Sequence, residues 1–353
     1  YYIGIRDDSY FAVTLDIVVK TDKTQMLLSS GRSVAAQSEQ GKYDYYKFFY
    51  TAPMIDEGLD VIATATNGRV QVVASKTEGF PTLENAQYIG TVVSGGSSAI
   101  KINPVTTGWY YIAVYSHTAS NYSVVASASD DPIYLVDARP MSFTVAQGHL
   151  KPFVFDIVDN TLDVSFTLQS QSGDPDLYVG IAPRTFTWHS IQGYGTDLIT
   201  IPSTDPNRYD EKFLKDKRFY VYVHGFVRST FTLTAYMGNS TVELLNGVPI
   251  GGSVTYGNYV YYRYFMTNPG RLSINLQVLF ASGDADLYVS RRTSKPTSEL
   301  YDYKSTRYGP DFLSIDAAAG YYWIGVYGFT RPNTSYIISA SADYETLSTN
   351  GLS

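Results

Sequence analysis

The octapeptide Ser172-Gly173-Asp174-Pro175-Asp176-Leu177-Tyr178-Val179 returns 110 residues later as Ser282-Gly283-Asp284-Ala285-Asp286-Leu287-Tyr288-Val289. A weaker copy, Asn67-Gly68-Arg69-Val70-Gln71-Val72-Val73, stands at almost the same step upstream. A second signature keeps the spacing: residues 108–115 (GWYYIAVY) match 219–225 (FYVYVHG) and 319–328 (AGYYWIGVYG). A third opens each copy, with Gly41, Gly148 and Gly257 standing shortly before the aromatic runs at 43–46, 153–155 and 259–262. Self-similarity at a fixed period means one structural unit built several times. The signatures divide the chain into modules at 21–128, 129–237 and 238–343. Residues 1–20 read as the tail of a preceding module and 344–353 as the start of a following one, so the chain is expected to be a window on a longer array.

Within a module the pattern is strand after strand. In the third, the runs 260–266, 272–280, 285–290, 311–316, 321–327 and 335–342 are short and rich in β-branched and aromatic residues, and Gly, Pro, Asn and Asp punctuate them. No stretch sustains a helical period. Short strands and turns over about 100 residues predict an all-β fold. The expectation is tandem jelly-roll-like β-sandwich modules of about eight strands each. Tyr110, Tyr220 and Tyr322 should occupy equivalent points, as should Leu177 and Leu287.

Composition narrows the function classes. Net charge is −7, which argues against a nucleic-acid binder, since that needs a basic surface for phosphates. There is no cysteine, which excludes disulfides, thiolate metal sites and thiol nucleophiles. No apolar run approaches the roughly 18–20 residues of a membrane span. Tyrosine is the outlier, 33 against 17 Phe and 3 Trp. It suits half-buried strands, where the ring packs and the hydroxyl stays wet. It is also enriched in binding patches, and both readings stay open.

Candidate chemistry is sparse. Asp174 and Asp176, like Asp284 and Asp286, are two apart on a strand and so share one face. Two carboxylates so placed repel unless something relieves them. One reading is a Ca2+ site completed by oxygens near Asp197 and Asp311; the other is that these acids satisfy a tight turn and cap backbone groups. The four histidines, His117, His149, His189 and His224, are scattered, and none has ligand spacing to another. No nucleophile elbow, zincin helix or phosphate loop occurs, so no enzyme is expected. Sequons at Asn121, Asn239 and Asn333 are glycosylation candidates. Asn121 and Asn333 are expected in the turn before the last strand.

The motifs at 283–289 and 319–328 resemble the bacterial pre-peptidase C-terminal (PPC) domain family. Module two matches less closely, with Lys217 in place of a glycine, and module one lacks both acids. The resemblance implies a jelly-roll sandwich, an extracellular or cell-surface location, and partners such as extracellular polysaccharide or matrix protein. Together with the repeats, it predicts a non-catalytic structural unit of an extracellular filament or long adhesin, contacting other copies of itself or further repeats. The alternative is an accessory matrix- or polysaccharide-binding region of a secreted hydrolase such as a protease.

Overall fold

Alternation of apolar and polar residues along a strand gives each sheet one greasy face, which must be covered by a second sheet. The computed structural model describes residues 24–51, 58–128, 131–193, 195–279 and 283–343; the expected tail at 1–20 and head at 344–353 lie outside them. Six sheets form three face-to-face pairs. In the third sandwich one sheet runs Thr241–Glu243, Tyr259–Met266, Gly320–Gly328, Ala285–Ser290, Tyr303–Ser305. The other runs Ile250–Thr255, Asn333–Asp343, Gly270–Val278, Asp311–Ala317. Neighbours pair antiparallel except the first edge pair, Thr241–Glu243 with Tyr259–Met266. The second sandwich repeats this order, and the first has five strands in each sheet. The chain is all-β apart from short helical turns, with nine or ten described strands per sandwich rather than eight. The excess consists of short edge strands such as Tyr88–Ile89 and Thr91–Val92.

Each core is closed by an aromatic from one sheet meeting an aromatic from the other. In the first sandwich Tyr46 and Tyr122 share a hydroxyl hydrogen bond of 2.8 Å, and the Tyr122 hydroxyl also donates to Asp44 at 2.8 Å. In the third, Tyr262 and Tyr336 repeat the pair at 2.9 Å. In the second, Phe153 and Phe231 take the same places, with Phe143 edge-on to Phe153. The expectation of wet tyrosine hydroxyls fails here. These rings are fully buried, and a buried hydroxyl is tolerated because it has a partner.

Register corrects one expected equivalence. Tyr110 stands opposite Phe48, and Tyr322 opposite Tyr264. The matching residue of the second sandwich is Phe219, opposite Phe155; Tyr220 lies one step on and faces outward. Tyr110 and Tyr322 each bond the backbone four residues upstream, at Thr106 and Ala318. Phe219 has no hydroxyl to do this. In its place the insertion before it forms a short helix, Glu211–Asp216, N-capped by Asp210, whose Phe213 ring packs 4.8 Å from Phe219. Leu177 and Leu287 are equivalent, opposite Val223 and Val326.

The sandwiches also pack on one another. Ile62 and Val125 of the first belong to the core of the second, and Tyr236 of the second belongs to the core of the third. Lys151 reaches from the second sandwich to Asp60 of the first, Nζ to Oδ2 2.5 Å. Gly251 lets the third approach the second closely, since a Cβ there would sit 2.4 Å from the Thr196 methyl. At the next residue, a Cβ on Gly252 would sit 2.5 Å from the Tyr262 hydroxyl. Gly252→Ala is therefore expected to cost about 1–3 kcal/mol by overpacking. Urea unfolding checks this, and a Tyr262→Phe background should leave most of the cost in place, because two Tyr336 ring carbons still stand 2.7 and 2.8 Å from the added Cβ.

Candidate functional site

The repeated acids sit where two sheets of one sandwich meet at an edge. In the third sandwich Asp284, Asp286 and Asp311 are all buried. Asp284 Oδ1 accepts the Gly309 N–H at 3.0 Å. Asp311 Oδ1 accepts the Ser305 hydroxyl at 2.5 Å and the Arg307 N–H at 3.0 Å. Asp197 does the same in the second sandwich, taking the Ser190 hydroxyl at 2.5 Å and the Gln192 N–H at 3.0 Å. In the first sandwich the equivalent residue is Ser98, whose hydroxyl accepts the Val72 N–H at 3.2 Å. A hydroxyl can thus replace the carboxylate, and the shared task is to tie the two sheets together. Asp174 Oδ1 and Asp311 Oδ2 are left buried without a hydrogen-bond partner. Among the described residues no group of three or more His, Cys, Asp or Glu is arranged to hold a metal.

Crowding leaves a titration signature. Burial, then the neighbouring charges of Asp284 and Asp311, push Asp286 up to about 6. Burial, and behind it Asp176 and Asp174, push Asp197 up to about 6 against the lowering effect of its two hydrogen bonds. Asp176 is raised by burial and by Asp174, and lowered by His224, whose Nδ1 lies 3.6 Å from its Oδ2. His117 bonds Gln71, the residue standing in place of Asp176, at 2.9 Å. No described histidine is paired with another.

The sequons are dispersed. Asn239 is exposed in the turn between Ser229–Met237 and Thr241–Glu243, and Asn333 is exposed at the start of its strand. Asn121 is half-buried, and its third residue, Ser123, is buried. Asn121 and Asn333 are not equivalent: matching Tyr122 to Tyr336 offsets them by two positions, and both lie in strands rather than turns.

A second arrangement was not foreseen. On the outward face of the third sandwich Tyr259 meets Tyr327 at 4.9 Å between ring centroids and stacks on Tyr261 at 5.9 Å. Phe265 meets Tyr321 edge-on at 4.8 Å, and Tyr321 lies 5.6 Å from Trp323. The Arg263 guanidinium lies 5.2 Å from the Tyr321 ring and 5.8 Å from Trp323, while its Nε donates to the buried Glu243 at 2.6 Å. The first sandwich carries the same face as Tyr43, Tyr45, Lys47 and Phe49 opposite Tyr115, Ala113, Tyr111 and Trp109. The second does not, having Leu150, Pro152, Val154 and Asp156 there. The signal was present as Tyr-x-Tyr-x-Lys/Arg-x-Phe at period two, hidden by inward tyrosines in the same runs.

Comparison with known proteins bears on the third sandwich. Residues 243–340 match the family model described as "UPF0669: Putative cytokine, C6ORF120". A UPF0669 protein of Nematostella vectensis is 33% identical over 97 residues, which is 27% of this chain and 56% of that protein. The chain thus spans about half the length of this curated relative. A solved structure titled "The Triple Jelly Roll Fold and Turret Assembly in an Archaeal Virus" overlaps 85% of this chain and 88% of its own at 12% identity, with a TM-score of 0.18, too slight an overlap to bear on fold or assembly.

These matches correct two expectations. The PPC resemblance is overturned, because the segment containing both motifs of module three matches UPF0669 instead. The physical reason is that motif residues do generic work: Gly173 turns the chain, Asp284 accepts the Gly309 N–H, and Tyr322 bonds backbone. The reading as a filament or adhesin unit, with its hydrolase-accessory alternative, falls with the resemblance, for the matched family carries a cytokine description.

The raised acids make a checkable statement. A carboxyl whose folded pKa lies above its unfolded value stabilises the fold below about pH 4, and this contribution is lost as pH rises to about 6. At pH 7 the ionised Asp286 is a burden. Asp286→Asn should raise the melting temperature at pH 7 and leave it nearly unchanged at pH 4, as thermal denaturation at both pH values would reveal.

Proposed function

We propose that this chain is an extracellular, non-enzymatic protein ligand that acts by binding a partner protein through the aromatic outer face of its third sandwich. One observation carries the reading: Tyr259, Tyr261, Arg263, Phe265, Tyr321 and Trp323 all lie within the segment that matches the cytokine-described family. Aromatics and arginine are the residues that dominate protein interfaces, because they bury large area at low entropic cost. Here they are held rigidly on a sheet, with Arg263 pinned between Glu243 and two rings. The non-enzymatic part rests on what the shifted groups do. Asp197 and Asp311 each accept a hydroxyl from the facing sheet of their own sandwich, which is a structural task. Among the described residues no helix is long and apolar enough to cross a membrane.

The test is saturable binding of the fluorescently labelled chain to cultured animal cells. Tyr321→Ser with Trp323→Ser should weaken it at least tenfold, while the melting temperature stays within a few degrees, because both side chains are partly exposed. Unchanged binding by this folded variant would refute the assigned face.

A further inference from the structure

The three sequons look alike in the sequence, but the fold places them in different surroundings. Asn121 lies inside Ser120–Ala128, paired with Gln37 on one side and Asn67 on the other. Its backbone N–H donates to Asn67 Oδ1 at 2.7 Å, and its carbonyl accepts the Thr66 hydroxyl at 3.1 Å. The third residue of that sequon, Ser123, is buried. Asn333 opens Asn333–Asp343 opposite Thr255, and its Nδ2, the atom that would carry a sugar, donates to Ser253 Oγ at 3.1 Å. Asn239 stands where the chain passes from the second sandwich to the third, in a tight turn closed by the Ser240 N–H donating to the Met237 carbonyl at 3.0 Å. The turn is clamped on both sides of it. The Gly238 N–H donates to the Asp163 carbonyl at 2.9 Å, the Met237 N–H to Asp137 Oδ1 at 3.0 Å, and the Ser240 hydroxyl to Asp137 Oδ2 at 2.5 Å. The Asn239 side chain itself is exposed and has no hydrogen-bond partner among the described residues.

We infer that Asn239 carries an N-linked glycan and that Asn121 and Asn333 do not. A glycan is bulky and hydrated, so the folded chain must hold its attachment point in water. The co-reactant is a lipid-diphosphate-linked oligosaccharide, delivered by a transferase of the secretory pathway. The Asn239 amide nitrogen bonds the anomeric carbon of the sugar, and that carbon's bond to the diphosphate oxygen breaks. The amide gives up one proton, and the lipid diphosphate leaves. This chain supplies the amide and, at Thr241, the hydroxyl that completes the sequon. The product asks nothing of the fold, because backbone groups and Asp137 hold the turn and the Asn239 side chain does not. At Asn121 the sugar would stand among the cross-strand side chains of Gln37 and Asn67. At Asn333 it would occupy the nitrogen that now bonds Ser253 across the sheet. The inference shares with the proposed partner binding only the extracellular location.

The experiment sends the whole chain through the secretory pathway of cultured animal cells behind a signal peptide. The purified protein is treated with peptide N-glycosidase F in heavy-oxygen water, which turns each glycosylated asparagine into an isotope-labelled aspartate. Peptide mass spectrometry should place the label at position 239 and at neither 121 nor 333. This localisation needs no variant, so it does not depend on how any substitution folds. Asn239→Gln should abolish the enzyme-sensitive mass shift, and Thr241→Val, which keeps the asparagine, should abolish it equally. Asn121→Gln and Asn333→Gln should each leave the shift intact. A chain without glycan, label at 121 or 333, or a shift that survives in Asn239→Gln would each overturn the assignment. The signal peptide supplies the route, so such a failure leaves the aromatic face of the third sandwich standing.

Discussion

Every sandwich in this chain depends on one contact across its midplane, where a ring from each sheet must meet its counterpart: Tyr46 with Tyr122, Phe153 with Phe231, Tyr262 with Tyr336. Sheets pack about 10 Å apart, a gap that large side chains fill from both sides. Tyrosine fills it as well as phenylalanine, provided its hydroxyl finds a partner in the interior. The first and third cores solve this by pairing two hydroxyls, and the second avoids the problem with phenyl rings. The neighbouring choices follow from that contact. Gly252 leaves space for the Tyr262 hydroxyl, and Asp44 accepts the proton that the first pair has left over.

Much of the fold could be read from the residues, because a strand's period of two exposes which side chains turn inward. The three signatures fall on equivalent strands, and Leu177 and Leu287 coincide. Tyr220 was misplaced by one residue because the insertion ahead of it shifts the aromatic run, and alternation in a run as rich as FYVYV does not by itself say which ring is inside. Short helix Glu211–Asp216 was invisible to periodicity, being under two turns long.

The site was less legible than the fold. Repeated acids draw the eye, yet it is Asp197 and Asp311, outside the repeated octapeptide, that tie the sheets, and Ser98 does their work in the first module. Resemblance to a family was misled for the same reason: residues demanded by a sandwich recur wherever the sandwich does. The aromatic face was concealed because inward and outward tyrosines alternate in one run.

Ile62 and Val125 are counted in the interior of the second sandwich although the first sandwich supplies them, and Tyr236 crosses into the third in the same way. Repeats in a linear array can be added or lost singly, because each meets its neighbour only at an end. A repeat that lends part of its interior to the next cannot be removed so cheaply: its excision would bare apolar surface on the module left behind. A change that loosens the first sandwich is therefore felt in the second, whose interior includes Ile62 and Val125.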